Sequence, residues 1–123
     1  WKTPADLMAE PLLFHTTAPR NWQHWLQAAG VPDAAPTLAR GFDQVSILLE
    51  AVKADMGVAV LQRCLVRDAL QAGQVVAPFD LPITLSRGYF LCAPREKRDH
   101  PALAAFRSWL LGVAATDIAA LMR

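Results

Sequence analysis

Histidine, cysteine, serine and carboxylate side chains are the groups that could do chemistry here, and their spacing decides which chemistry. His15, His24 and His100 lie far apart. None has a second ligand three or four residues on, the spacing that sets two metal-binding side chains on one helix face. No metal site is expected. Ser46, Ser86 and Ser108 have no activating base nearby in sequence, and no G-x-S-x-G turn presents a nucleophile. Neither a G-x-G-x-x-G fingerprint nor a phosphate-binding P-loop is present, so no cofactor is expected. Cys64 and Cys92 form no C-x-x-C pair, and each sits among apolar residues. They read as two buried thiols, which fits a reducing cytoplasm. These residues point away from an enzyme.

Two polar turns are more promising. A short apolar run ends in His15-Thr16-Thr17, and a stretch in which Leu38, Arg40 and Phe42 alternate with small residues ends in Phe42-Asp43-Gln44-Val45-Ser46. Each stands where a strand hands over to a helix. Backbone N–H groups and hydroxyls at such a place can hold an anion such as a carboxylate. The plainer alternative is that Thr17 and Asp43 only cap the helices that follow. Asp43 would repel an anion directly, so it either caps or meets an amine. The mixed-sign run Arg95–Asp99 reads as a solvated loop. Trp22 and Trp25, three apart on one helix face, read as core or interface.

The elements that position these turns follow from periodicity. Thr3-Pro4-Ala5-Asp6 has the cap, first-turn proline and following acid of a helix start, and residues 3–9 read as a short helix. Pro11–His15 is a buried strand. Trp22, Trp25, Leu26 and Ala29 mark an amphipathic helix that Gly30 ends. Leu38–Phe42 is a second strand, and Val45, Leu48, Leu49 and Val52 make a second helix. Gly57–Leu61 reads as a strand, Arg63–Ala72 as a helix closed by Gly73, and Gln74–Phe79 and Thr84–Ala93 as two further strands. Pro101 opens a last helix with Leu103, Phe106, Leu110 and Val113 on one stripe. Strands that read as apolar runs, alternating with helices, predict an α/β fold: a mostly parallel sheet with helices on both faces. Ligands bind such sheets outside the carboxyl ends of the strands, where both polar turns stand.

The chain has 123 residues, with 12 Lys and Arg against 11 Asp and Glu, and 54% of its residues are hydrophobic. That is about one domain, able to bury a core. Its net charge of +1 gives no field to draw nucleic acid or an anionic membrane. No apolar run nears the roughly 18 residues of a membrane span. The chain begins at Trp1, one step before a helix cap, and reads as cut from something longer.

Several motifs, in order, resemble the LysR-type transcriptional regulators. Asn21–Gly30 (Asn-Trp-Gln-His-Trp-Leu-Gln-Ala-Ala-Gly) is similar to their W..WL...G helix. Phe42-Asp43, then Leu48-Leu49-Glu50-Ala51, then Gly57-Val58-Ala59-Val60-Leu61 is similar to their F.....L.EA....G.A.L segment. Gly73–Phe79 resembles their G.LV.PF strand. Tyr89–Pro94 and Ala105–Leu110 resemble the Y.L..P strand and the F..WL helix. Within the family, the regulators of glycine cleavage and β-lactamase are the most similar. Two positions depart: Asp55 stands where a second glycine is usual, and Gln62 where a proline often follows. Asp tolerates the left-handed conformation, so Asp55 can still end its helix.

The resemblance implies a type II periplasmic-binding-protein-like fold with two α/β lobes, crossing strands and an effector cleft between. It assigns residues 1–82 to the second lobe, 83–94 to a crossing strand and 95–123 to the last helix of the first lobe. DNA binding would belong to a helix-turn-helix outside this chain. The expected partner is a small anionic effector at Thr16, Thr17, Phe42, Asp43 and Ser46, with Tyr89 on the crossing strand. No membrane partner is expected. A bare crossing strand and final helix are expected to fold back or to pair with another chain, giving a homodimer or higher homo-oligomer. The rival reading is a solute-binding protein of the same fold.

Overall fold

The computed structural model describes every residue except Asp33, Ser86, Arg87, Met122 and Arg123, and gives only the backbone at 119–121. The described chain forms two compact units, Trp1–Ile83 and Thr84–Arg123.

In the first unit a short 3₁₀ helix, Pro4–Ala9, precedes strand β1 (Leu12–His15). Helix α1 (Asn21–Ala28), strand β2 (Leu38–Phe42), helix α2 (Val45–Lys53), strand β3 (Val58–Ala59) and helix α3 (Arg63–Gln71) follow. The three strands form a sheet in the order β2-β1-β3, and both pairings are parallel. Parallel neighbours need crossover connections, and α1 and α2 supply them. The expected mostly parallel sheet is therefore present.

β1 is the central strand, and its alternation builds a core on each face. Leu12 joins Leu7 and Trp22 on one side. Leu13 joins Leu48 and Ala51 of α2 on the other. Each buried Leu contributes about 2 kcal/mol relative to exposure. The Trp22 indole is buried in the core, and its N–H donates to the Leu13 carbonyl at 2.8 Å. Trp25 meets Trp22 edge-on at 6.0 Å, and its own N–H donates to the Leu81 carbonyl at 2.9 Å. The two tryptophans thus hold the Phe79–Leu81 segment beside the sheet. Gly57 makes the third strand possible. A Cβ there would lie 2.3 Å from the Pro11 carbonyl oxygen, which instead accepts from the Val58 N–H at 3.0 Å.

Three helices end in one way. At α1, Gly30 N–H donates to Gln27 and Val31 N–H to Leu26. The same double closure, a Schellman motif, ends α2 at Asp55-Met56 and α3 at Gly73-Gln74. The closing residues Gly30, Asp55 and Gly73 have φ of 84°, 62° and 71°. Asp55 takes the left-handed role expected of it, in place of a glycine.

Several expectations need correction. Pro4–Ala9 is 3₁₀ rather than α. The strand at 57–61 pairs only over Val58–Ala59. No strand forms at 74–79, nor among the described residues of 84–93; Ser86 and Arg87 lie outside the described residues. These stretches are apolar but find no ladder partner, and a strand is stable only when paired. Cys64 and Cys92 are both exposed, not buried. Within α3 only Ala69 is buried, so an apolar neighbourhood in sequence does not cover Cys64. Cys92 lies in an unpaired stretch flanked by exposed Leu91.

The second unit holds a single-turn 3₁₀ helix, Arg95–Lys97, and helix α4 (Pro101–Leu121). No described residue of this unit is buried. Within the expected stripe Phe106 and Val113 are 48% and 47% exposed, and Leu103 and Leu110 are half-buried. Apolar residues lie on all sides of α4 rather than on one stripe. No helix of the described residues is long and apolar enough to cross a membrane.

Candidate functional site

The parallel pairing of β1 and β2 brings both polar turns to one end of the sheet. Beyond the last pair, His15 with Phe42, the Thr16 N–H donates to the Phe42 carbonyl at 2.9 Å. Thr16 and Thr17 are therefore held beside Phe42 and Asp43. Gly41 permits this. A Cβ there would come within 2.9 Å of the Thr16 methyl and closer still to the Phe14 ring. Thr16, Thr17, Asp43 and Ser46 are exposed, and Phe42 is half-buried against the α2 core.

His15 joins the two turns. One ring nitrogen, Nε2, lies 3.0 Å from the Asp43 carbonyl oxygen, and the other, Nδ1, lies 2.8 Å from the Thr17 hydroxyl. A carbonyl can only accept, so Nε2 donates. Sequence reasoning placed His15 at the end of the strand but gave it no role. Its partner Asp43 is too distant in the chain for spacing to show. The available signal was its type: an imidazole at the carboxyl end of a buried strand, directly before two threonines.

The capping alternative does not hold. The residue at the cap of α1 is Arg20, not Thr17, and at the cap of α2 it is Gln44, not Asp43. Neither helix start has a side-chain cap hydrogen bond. The hydroxyl of Thr17 is turned to His15, and the Asp43 carboxylate has no hydrogen bond or ion pair among the described residues. Ser46 is the second residue of α2, whose first-turn N–H groups carry the positive end of the helix dipole. The arrangement offers fixed donors and acceptors for a small polar molecule.

Tyr89 belongs to the second unit, where it is 80% exposed. A shallow hollow is lined by Ser108, Trp109, Gly112 and Thr116, all on α4. No group of three or more metal-ligating side chains occurs among the described residues.

An α/β sheet with helices on both faces and polar turns at its carboxyl ends is the build of a ligand-binding lobe. The comparisons are more specific. The family described as LysR substrate binding domain matches residues 2–115. The HTH-type transcriptional regulator TrpI of Pseudomonas aeruginosa is 36% identical over 106 residues, which cover 86% of this chain and 35% of TrpI. The HTH-type transcriptional activator AmpR of Providencia stuartii is 34% identical over 110 residues, covering 88% of this chain and 36% of AmpR. The solved effector domain of the regulator AmpR of Pseudomonas aeruginosa superposes with a TM-score of 0.79 at 28% identity. It matches 100% of this chain, which spans 59% of that domain.

The chain belongs to the LysR substrate-binding domain family, and its fold is the periplasmic-binding-protein-like one. It spans about a third of the length of the curated relatives it matches. Those relatives are transcriptional regulators, not enzymes.

Proposed function

We propose that this chain is the ligand-sensing part of a LysR-type transcriptional regulator. A small effector with an acid group binds at the carboxyl ends of β1 and β2. The observation that carries this reading is the convergence of Thr16, Thr17, Phe42 and Asp43 there, with Ser46 in the uncapped first turn of α2. The acid group is taken by the α2 start, the Ser46 hydroxyl and the Thr16 hydroxyl, where the helix dipole favours negative charge.

In the whole regulator, residues 83–94 cross to a second lobe, α4 belongs to that lobe, and Tyr89 reaches the effector from the crossing segment. Effector binding biases closure of the two lobes, which alters how a helix-turn-helix outside this chain engages DNA. The regulator works in the cytoplasm as a homodimer or larger homo-oligomer. Support for regulation over solute transport comes from the relatives, which are named as regulators.

Calorimetric titration of the whole protein with a panel of small carboxylates tests the site. Thr16→Ala and Ser46→Ala each weaken binding of the responding acid about tenfold, the size of one lost charge-assisted hydrogen bond. Unchanged affinity in both variants would place the effector elsewhere.

A further inference from the structure

Gly41 lies within β2, opposite Phe14 of β1. Unlike Gly30 and Gly73, it does not take the left-handed conformation. A residue with a side chain could adopt its backbone, so what excludes one is space. A Cβ there would lie 2.6 and 2.9 Å from two atoms of the Phe14 ring and 2.9 Å from the Thr16 methyl carbon. Phe14 and Thr16 are two residues apart, and both reach over Gly41 on one face of the sheet. Phe14 also packs against the cluster of Leu7, Leu12 and Trp22, which limits how far its ring can give way.

Thr16 is thereby pinned twice. Its N–H donates to the Phe42 carbonyl at 2.9 Å, which fixes the backbone. Its methyl fills the space over Gly41, which fixes χ1. Methyl and hydroxyl share one carbon at set angles, so the hydroxyl cannot turn unless the methyl leaves its seat. The hydroxyl has no hydrogen bond among the described residues. Its direction is therefore set by packing of the methyl and not by a polar partner, and its own bonding capacity stays available.

We propose that Gly41 is a positioning residue of the site: the space it leaves seats the Thr16 methyl and so aims the Thr16 hydroxyl at the acid group of the effector. The inference rests on the site reading given above, which gives that hydroxyl to the acid group. Threonine suits the task better than serine, because serine has the hydroxyl without the methyl that holds it. A hydroxyl free to visit three staggered positions is correctly aimed about one third of the time, and affinity falls in proportion.

The test follows the amides of Thr16, Asp43 and Ser46 while acetate, succinate and glutarate are titrated into the 123-residue chain. Three-bond couplings from the Thr16 methyl carbon to the backbone nitrogen and carbonyl carbon report χ1. They should show one rotamer in the natural chain and a different or averaged one in Gly41→Ala. For the tightest-binding of the three acids, Gly41→Ala should approach the loss of about tenfold expected of Thr16→Ala. Thr16→Ser, which keeps the hydroxyl, should still lose about threefold. In a Thr16→Ala background Gly41→Ala should weaken binding no further, whereas a general disturbance of the strand ends would weaken it in both backgrounds. Thr16→Ser leaves β2 untouched, so it carries the test even where Gly41→Ala unsettles the sheet.

An averaged Thr16 rotamer in the natural chain overturns the inference. So does full affinity in Thr16→Ser or in Gly41→Ala when Thr16→Ala weakens binding, and that result leaves the acid-binding site intact. If Thr16→Ala keeps full affinity, or none of the acids moves those amides, the site and the inference fall together.

Discussion

The two units spend similar residues in opposite ways. In Trp1–Ile83 the central strand turns Leu12 to one face and Leu13 to the other, and each is closed over by its own cluster. Every buried hydrophobic residue of the described chain, from Leu7 to Ala69, lies in this unit. In Thr84–Arg123 Phe106, Trp109, Leu111 and Ile118 are all exposed. A paired strand sorts its side chains into two faces by its period of two, and each face can be covered locally. A helix that is apolar all round has no such sorting, and its surface calls for partners on more than one side. Apolar content alone builds no core; the backbone must first give it a direction.

Substitutions matched across the two units test that contrast most strongly. Leu48 is fully buried, at 0% exposure. Leu48→Ala should cost about 3 kcal/mol in urea unfolding, through lost transfer free energy and the cavity left behind. Leu111→Ala on α4 should change unfolding by no more than about 0.5 kcal/mol, because that side chain is 53% exposed. Equal losses at the two sites would break the comparison.

A backbone test of the first unit comes next in size. Gly57→Ala sets a methyl against the Pro11 carbonyl that pairs with Val58. Overpacking of this kind costs about 1–3 kcal/mol. The loss should be accompanied by faster hydrogen exchange at the Val58 amide. Gly88 offers the control in the second unit, since a Cβ there meets nothing within 4 Å.

The third test has the opposite sign. Asp55 closes α2 at φ 62°, the role that Gly30 and Gly73 fill at α1 and α3. Asp55→Gly removes a Cβ strain of about 1–2 kcal/mol and adds unfolded-state freedom worth somewhat less. A gain of about 0.5 kcal/mol in thermal or urea unfolding is expected. Asp55→Ala, with the strain kept and no polar side chain to bond locally, should lose stability instead.

What could be read from the sequence divides along the same line. β1, β2, α1, α2 and α3 are legible because their periodicity and stops are local. Gly30, Asp55 and Gly73 mark their helix ends within a single turn of chain. The stretches at 74–79 and 84–93 look like strands by composition, but pairing is a property of the neighbour, which composition does not show. Cys64 misled for the same reason, since covering a helix face requires a partner. Of the proposed site, Thr16, Thr17, Phe42 and Asp43 could be placed at the strand ends. His15 could not be given its role, because its contact with Asp43 exists only once β1 and β2 pair. Thr17 and Asp43 could not be separated from capping residues until the helix starts were seen at Asn21 and Val45.

The smallest effect expected is electrostatic, at the edge of the first unit. The carboxylate of Asp6 accepts from the backbone N–H groups of Thr3 at 2.9 Å and Lys2 at 2.8 Å. Those bonds, Thr3 first, lower its pKa below the ordinary value of 3.8. Unfolding frees the carboxylate and lets it bind a proton more readily. The bonds therefore add stability that is complete above the ordinary carboxylate value and is lost as pH falls through the lowered one. Asp6→Asn removes this pH-dependent part, since an amide oxygen accepts the same bonds but does not titrate. Unfolding midpoints of the two chains should thus differ most near neutral pH, with the natural chain higher, and converge in acid once the pH is below the lowered Asp6 value. Because the group is fully exposed, the difference should shrink as salt is added. A difference that persists in acid would assign the role of Asp6 to helix geometry instead of charge.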